Sequence, residues 1–499
     1  MENLAALAAG FAVALTPSNL VLMLVGVLLG VVIGVLPGLG GANGIAILLP
    51  LTFSMEPVSA IIMLSCIYWG ALFGGAITSI LFNIPGEPWS VATTFDGYPM
   101  AQKGRAAEAL VAAFTSSFFG AFVAIVMITA IAPLVARFAL RFGPPEFFAV
   151  MFLSFAAFVG QGRGSAWKTI AAMMAGFLLA CVGLDTVTGL LRLTFGSMEL
   201  MRGFDFLVAV IGLFGISEVL IAVEEGLKFE GAKARIDSGV VFRVWKELPR
   251  YAAIALRSSF IGCWMGVTPA GATPASFMSY GMARKLSKDG AAFGTGRIEG
   301  VVAPEVANNA AGVSALLPML ALGVPGSPTA AVLLGGLIMW GLQPGPMLFV
   351  EQKDFVWGLI ASMYLGNVAA FLVVLTLVPL FAAILRIPFA IIAPLILIAC
   401  AIGAYTVNNA MFDVVLMLVF GLVGYVMKKL DYPLAPMVLA LVLGNRTEQA
   451  FRQSLLLSEG SLAVFFHGWL SGIIMTAGLV LLLWPLIGRL AAVVRARMA

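Results

Sequence analysis

The residues best suited to bind a polar solute lie in a stretch of the chain that is otherwise apolar. Residues 303–345 combine a carboxylate, Glu305, with two adjacent amides, Asn308 and Asn309, and the helix-breaking sequence VPGSP at 324–328. A charge and a broken helix are both costly in a lipid bilayer, and they are usually kept where the chain binds or moves something polar. This stretch therefore predicts a polar site within a membrane protein.

The composition of the whole chain supports a membrane location. The 499 residues are 61% hydrophobic and 10% charged, with a mean hydropathy of +1.06, whereas soluble proteins carry about 25% charged residues. The apolar runs have the length of helices, not of the short alternating strands of a barrel. We expect an all-α polytopic membrane protein with about 10–12 transmembrane helices, at about 35–45 residues for each crossing and its loop.

Proline and glycine interrupt the apolar pattern in two places in each half of the chain. Residues 34–37 (GVLP) resemble residues 266–269 (GVTP), 232 positions later. Residues 84–88 (IPGEP) resemble residues 324–328 (VPGSP), 240 positions later. Two unusual breaks in the same order at nearly the same offset indicate an internal duplication. Broken segments at matched positions of two halves are typical of the binding sites of transporters.

The duplication and the charges predict four regions. They are a first repeat over 1–225 with broken segments at 37–44 and 83–88, a basic cytoplasmic connector over 226–257, a second repeat over 258–445 with broken segments at 268–276 and 324–328, and a C-terminal helix region over 446–499.

The distribution of basic residues suggests how the repeats are oriented. The connector holds seven of the 28 Lys and Arg residues, which favours the cytoplasmic side. The loop at 54–59 has no basic residue, whereas its counterpart at 284–297 has four. Matched loops on opposite sides of the membrane predict inverted repeats with re-entrant or broken helices.

The breaks would supply groups that bind both an anion and a cation. N-termini of half-helices carry partial positive charge and accept carboxylates, while freed carbonyls and Asn, Ser and Thr oxygens suit a hard cation such as Na⁺. The candidate substrate-binding residues are Pro37, Gly38, Gly40, Gly41, Asn43, Asn83, Pro85, Gly86, Gly271, Thr273, Pro325, Gly326 and Ser327. The candidate cation or coupling residues are Glu305, Asn308, Asn309, Thr78 and Ser79. These oxygens predict a Na⁺ site at the hairpin tips, which are the Pro-Gly turns of the broken segments. The sequence does not define the ligands of that ion.

Each of these residues also has a purely structural interpretation. Pro-Gly breaks can simply kink packed helices, and the Asn pair can cap a broken helix. Thr78 and Ser79 can bond to their own helix backbone, as hydroxyls in membrane helices usually do. Gly26, Gly30 and Gly34 recur at four-residue spacing, which predicts close helix packing.

Several other chemistries have no support in the sequence. There is no GxxxxGK[ST] loop, no HExxH and no GxSxG elbow, and the chain has one histidine. We therefore expect neither an enzyme nor a nucleic-acid-binding protein, and no cofactor. Asp96, Asp413 and Asp431 are interpreted as charges of loops or interfaces.

Long motifs give the chain a family resemblance. They are GVLPGLGGANGIAILLPLTF (34–53), GGAITSILFNIPGE (74–87), DGYPMAQKGRA (96–106), GVTPAGATPASFMSYG (266–281), EGVVAPEVANNAAG (299–312), LGVPGS (322–327), GLQPGPMLF (341–349), VNNAMFDVVLMLVFGLVGY (407–425) and APMVLALVLG (435–444). In these stretches the chain resembles the large membrane subunit of tripartite tricarboxylate transporters, the TctA family.

The resemblance implies a permease of the bacterial inner membrane. Such a subunit works with a small membrane subunit (TctB-like) and a periplasmic solute-binding protein (TctC-like). It imports di- or tricarboxylates such as citrate, and a Na⁺ or H⁺ gradient drives the import by symport. The alternatives are a passive anion channel and a membrane scaffold subunit that does not transport.

Overall fold

The computed structural model of the chain describes residues 2–36, 39–161, 165–185, 188–225, 236–268, 271–384 and 389–498. Helices dominate, because a backbone inside a bilayer must satisfy its N–H and C=O groups within its own segment. The one sheet in these ranges is an antiparallel pair of short strands, β1 (Gly183–Leu184) and β2 (Leu191–Arg192). The prediction of an all-α polytopic membrane protein is confirmed.

The helices before residue 226 are α1 (Glu2–Ala14), α2 (Pro17–Val35), α3 (Gly40–Leu48), α4 (Pro57–Phe82), α5 (Val91–Gln102), α6 (Ala106–Ala139), α7 (Pro144–Gln161), α8 (Ala166–Ala180), α9 (Phe206–Val210) and α10 (Ser217–Glu225). A π-helical stretch, Ile211–Ile216, joins α9 to α10.

The helices after residue 235 are α11 (Ser238–Glu247), α12 (Ala252–Val267), α13 (Ala272–Leu286), α14 (Glu299–Ser314), α15 (Leu316–Leu322), α16 (Pro328–Met339), α17 (Leu348–Glu351), α18 (Lys353–Ile384), α19 (Phe389–Asn408), α20 (Met411–Lys429), α21 (Leu434–Leu457), α22 (Val464–His467) and α23 (Trp469–Met498).

Within the described ranges, seven helices are long and apolar enough to cross a membrane. They are α2, α4, α6, the continuous stretch Phe206–Glu224, α18, α19 and α20. The expected count was about 10–12 in addition to the broken helices, and other apolar helices of the described ranges, such as α8 with 15 residues, fall below the length of a full crossing. Helices α3 and α16 have 9 and 12 residues. At about 1.5 Å per residue neither spans a hydrocarbon core of about 30 Å.

Glycines bring α2 and α4 into backbone contact. A Cβ atom on Gly30 would lie 2.2 Å from the carbonyl oxygen of Ile67, and one on Gly34 would lie 2.3 Å from that of Ala71. Gly26, one turn earlier on α2, is equally close to the α4 backbone. The prediction of a small packing face is confirmed. It holds α4, which is buried along most of its length, against α2.

The two halves share one order of elements. In the first, α2 leads through a break to α3, and α4 leads through a second break to α5 and α6. In the second, α12 leads through a break to α13, and α14 and α15 lead through a second break to α16 and then α18. Contacts between the halves are matched as well, since α4 packs on α18 and α14 packs on α6. The boundaries of the repeats and their inverted orientation stay predictions.

Further helices pack around this paired core. The π-helical stretch contacts α3, α19 and α20, while α8 and α7 pack on α21. Near α21, Arg192 of β2 makes a bidentate ion pair with Glu448 of that helix, with N···O distances of 2.8 and 3.2 Å. Arg452 of the same helix reaches Asp185 at 3.0 Å. These ion pairs anchor the strand hairpin on α21.

Candidate solute-binding site

The four breaks meet around one cavity of about 480 Å³. Its lining from the breaks consists of Leu39, Gly40, Ala42, Asn43, Gly86, Glu87, Pro88, Trp89, Ala272, Thr273, Ser327, Pro328 and Thr329. The remaining lining residues are Phe158, Phe214, Glu218 and Lys428. Segments far apart in the chain therefore supply one concave site of the size usual for small ligands, roughly 300–1,000 Å³.

The second break of the first half places a carboxylate at a helix N-terminus. Helix α4 ends at Asn83, whose left-handed backbone (φ 57°, ψ 26°) turns the chain back. Glu87 follows in an extended conformation and is 8% exposed. Its carboxylate accepts a hydrogen bond from the backbone N–H of Gly41, in the first turn of α3. A helix N-terminus carries about half a positive charge and therefore attracts carboxylates. Glu87 occupies the position at which the sequence predicts a carboxylate of the substrate.

The matching break of the second half has a hydroxyl in place of that carboxylate. Helix α15 ends at Gly323, which is left-handed (φ 73°) like Asn83. Ser327, the counterpart of Glu87, caps α16 by accepting a hydrogen bond from the backbone N–H of Ala330 at 3.1 Å. The Ser327 hydroxyl also lies 3.4 Å from the hydroxyl of Tyr68. We call these two breaks, residues 83–88 and 324–328, the first and the second tip. The two tips share a backbone shape and differ in charge.

Glycine is required at both tips because the backbones touch. A Cβ on Gly86 would lie 2.2 Å from the carbonyl oxygen of Gly34, and a Cβ on Gly326 would lie 2.5 Å from that of Gly266. Gly271 lies similarly close to the backbone of α12. Real Cβ atoms do not approach backbone atoms so closely. Each tip therefore packs directly on the helix that precedes the first break of its own half, which is α2 for Gly86 and α12 for Gly326.

Two charged residues of the surrounding helices complete the cavity. Glu218 of α10 and Lys428 of α20 form an ion pair and both line it. Sequence reasoning missed this pair, because its two residues lie 210 positions apart in different apolar segments. It also missed Glu87 as a site residue, although the matched position of Ser327 was a usable signal.

Glu305 lies in a second polar cluster, which is fully buried. Its Oε1 accepts a hydrogen bond from Thr93 Oγ1 of α5 at 2.5 Å, and its Oε2 accepts one from Ser117 Oγ of α6 at 2.8 Å. Asn309 Nδ2 lies 3.5 Å from the same Oε2 and 2.5 Å from Asn308 Oδ1. Asn309 Oδ1 has no hydrogen-bond partner among the described residues. The predicted trio of Glu305, Asn308 and Asn309 is brought together on α14.

The other two candidate coupling residues lie elsewhere. Thr78 Oγ1 donates to the carbonyl of Gly75 in its own helix at 3.1 Å. Ser79 Oγ donates to the carbonyl of Ser90 at 3.2 Å. Ser79 thereby connects α4 to the turn that follows Glu87, and among the described residues neither hydroxyl has a hydrogen bond to the Glu305 cluster.

The predicted substrate-binding residues separate into groups by position. Those that line the cavity are Gly40, Asn43, Gly86, Thr273 and Ser327. Five more lie in the breaks but not in the lining: Gly41, Pro85, Gly271, Pro325 and Gly326. Asn83 is exposed and does not line it. Pro37 and Gly38 lie outside the described residues.

Asp96 connects the two halves beside this site. It lies inside α5 and is fully buried, not in a loop. Its carboxylate accepts hydrogen bonds from Tyr280 Oη at 2.8 Å and from the backbone N–H groups of Gly294, Gly296 and Arg297 at 2.7–3.0 Å. The interpretation of Asp96 as a loop charge was wrong, because α5 begins at Val91, directly after the 3₁₀ turn Pro88–Ser90.

Apolar helices, interrupted helices and a polar cavity where the interruptions meet define a polytopic α-helical membrane protein with a central solute-sized site. The tripartite tricarboxylate transporter TctA family matches residues 20–439, and the chain belongs to that family. It is thus a multi-pass membrane component of a tricarboxylate transporter.

Two relatives are from Agrobacterium vitis. One, described as an uncharacterized 52.8 kDa protein in the TAR-I ttuC' 3' region, is 39% identical over 483 residues, which cover 96% of this chain and 95% of the relative. The other, an uncharacterized protein in the TAR-II ttuC' 3' region, is 39% identical over 227 residues, which cover 45% of this chain and 94% of the relative. No solved structure matches the chain.

Proposed function

We propose that the chain is the permease subunit of a binding-protein-dependent secondary transporter that imports citrate-like di- or tricarboxylates by cation symport. The observation that carries this proposal is the meeting of all four breaks at one cavity. The N-terminal turns of α3 and α16 both open on it, through Gly40 and through Ser327. Such turns favour anions, and Lys428 supplies an ammonium group, which pairs with Glu218 in this structure.

The Glu305 cluster is the proposed coupling site. Its carboxylate is fully buried, and its described side-chain partners Thr93 and Ser117 are neutral hydroxyls. A buried charge without a counter-charge is costly, so the carboxyl group favours a bound proton or a Na⁺ ion. Carboxylate and amide oxygens suit Na⁺ as a hard cation. No cofactor other than this coupling ion enters the proposal.

Helix α5 connects the Glu305 cluster to the cavity. Thr93, which donates to Glu305, lies in the first turn of α5. That helix begins directly after the 3₁₀ turn Pro88–Ser90, which follows Glu87. Occupation of the Glu305 site would therefore bias the position of the first tip, which is how two sites acquire a coupling free energy.

Membership of the TctA family supports a proposal for the partners and the location. We propose that the chain works in the bacterial inner membrane with a small TctB-like membrane subunit. A TctC-like periplasmic protein would deliver the carboxylate.

The test is uptake of labelled citrate into proteoliposomes that contain the chain and its small partner, with the binding protein outside. An inward Na⁺ or H⁺ gradient should drive accumulation only when the binding protein is present. Equilibration of citrate without any gradient would indicate a passive channel. Absence of both accumulation and equilibration, for citrate and for a panel of di- and tricarboxylates, would contradict the proposal.

A further inference from the structure

We infer that a substrate binds this cavity by carboxylate exchange: its carboxylates replace Glu87 at the N-terminus of α3 and Glu218 at Lys428. The inference rests on the proposed function and adds to it the residues that select the solute.

Both anion-binding groups of the cavity are held by carboxylates of the chain. The N–H of Gly41 donates to Glu87, and the ammonium of Lys428 pairs with Glu218. Glu87, Glu218 and Lys428 all line the same cavity. A solute that offers only hydrogen-bond donors or apolar surface would leave both pairs intact, whereas a carboxylate can substitute for either protein group.

A comparison of the two halves supports a special role for Glu87. Ser327 occupies the matched position of the second half and has the same extended backbone, with φ −154° and ψ 162° against −142° and 157° for Glu87. The serine caps its own helix, α16, whereas the glutamate reaches the start of a different helix, α3. The backbone of the tip therefore does not require a carboxylate, and the carboxylate of Glu87 serves the first break instead of its own tip.

The lining of the cavity also contains a buried donor that has no partner among the described residues. Trp89, which is 6% exposed and lines the cavity, has an indole N–H with no acceptor among the described residues. A buried donor without an acceptor is unfavourable. An oxygen-rich solute would supply the missing acceptor.

Exchange also explains why a cation should accompany the solute. A dicarboxylate would bring two negative charges into a cavity that already holds Glu87 and Glu218. Four carboxylates around one ammonium and one helix N-terminus repel one another strongly. Import of cations or protons with the solute relieves this repulsion.

The test measures binding to the full chain purified in detergent, by calorimetry, with citrate, succinate and butyrate. Succinate and butyrate have the same four-carbon length but differ by one carboxylate. Glu87→Gln and Glu218→Gln each remove one internal competitor while keeping its shape. Each should tighten succinate binding about tenfold, and the double variant should show both gains multiplied for succinate but not for butyrate.

Two further variants separate exchange from a general charge effect. Glu224→Gln removes a carboxylate from the neighbouring pair with Lys429, which joins the same two helices outside the cavity. It should change binding less than twofold. Lys428→Gln should weaken succinate binding and should abolish the gain from Glu218→Gln, because the exchange at that position needs the ammonium.

The outcomes distinguish the inference from the proposed function. Citrate binding by the unsubstituted chain, with Glu87→Gln and Glu218→Gln indistinguishable from Glu224→Gln, would overturn the exchange and leave the transporter proposal intact. If Glu218→Gln still tightens succinate binding when it is combined with Lys428→Gln, the exchange is also overturned. If neither the unsubstituted chain nor any variant binds a carboxylate, both proposals fail.

Discussion

The close backbone contact at the second tip makes Gly326→Ala a sharp test of the site. A Cβ there would lie 2.5 Å from the carbonyl oxygen of Gly266 and 2.9 Å from the Cα of Ala315. Normal contacts between such atoms are about 3.5–4.0 Å, so the tip must move by about 1 Å. Both neighbours are backbone atoms, and a rotamer change cannot relieve the clash.

The size of the effect follows from that displacement. Overpacking of a well-packed interior costs about 1–3 kcal/mol. If the cost falls on the conformation that binds the solute, it corresponds to about 5–150-fold weaker binding. Gly326→Ala should therefore reduce citrate uptake by at least about fivefold, and Gly326→Val should abolish it, while either protein still inserts into the membrane.

The chain offers a matched control for this substitution. Gly281 lies in α13 of the same half, and a Cβ there would meet nothing within 4 Å. Gly281→Ala should leave uptake unchanged, and it should stabilise the helix by about 1 kcal/mol. The assay is initial uptake per amount of inserted protein in proteoliposomes. Uptake by Gly326→Ala within twofold of Gly281→Ala would refute the assignment of this tip to the site.

Three further predictions concern buried carboxylates. Asp96→Ala removes the acceptor of three backbone N–H groups and of the Tyr280 hydroxyl. It should lower the free energy of unfolding by about 3–6 kcal/mol, against about 1 kcal/mol for Tyr280→Phe. Equal thermal stability of both variants and the parent would contradict this. Glu305→Gln keeps the size of the buried side chain and loses its charge, so uptake should lose its dependence on the cation gradient; an unchanged dependence, measured at varied Na⁺ and pH, would exclude Glu305 from coupling. At the start of α9, burial raises the pKa of Asp205 despite its hydrogen bond from Leu207. A raised folded-state pKa means that the folded state holds the proton more tightly, so this group's contribution to stability is lost as pH rises. Asp205→Asn, which keeps an N-cap acceptor, should therefore raise the unfolding temperature near pH 7, with a difference that shrinks toward about pH 4; a constant difference would contradict the assignment.

The sequence alone was enough to predict the class of the protein and the places where its helices break. Composition predicts helices in a bilayer because no other local structure satisfies the backbone there. Proline and glycine mark the breaks because neither supports a regular helix interior. The small face of α2 followed from a four-residue spacing, which is a local property of one helix.

The contents of the cavity depended on the tertiary structure. Glu87, Glu218 and Lys428 lie in three separate segments, and only packing brings them to one place. The sequence also predicted Asn83 as a ligand, whereas its left-handed backbone ends α4 and leaves its side chain exposed. Residue types and local spacing determine where a helix can form or break. The partners of a side chain are decided by contacts between distant segments, and no local pattern encodes those contacts.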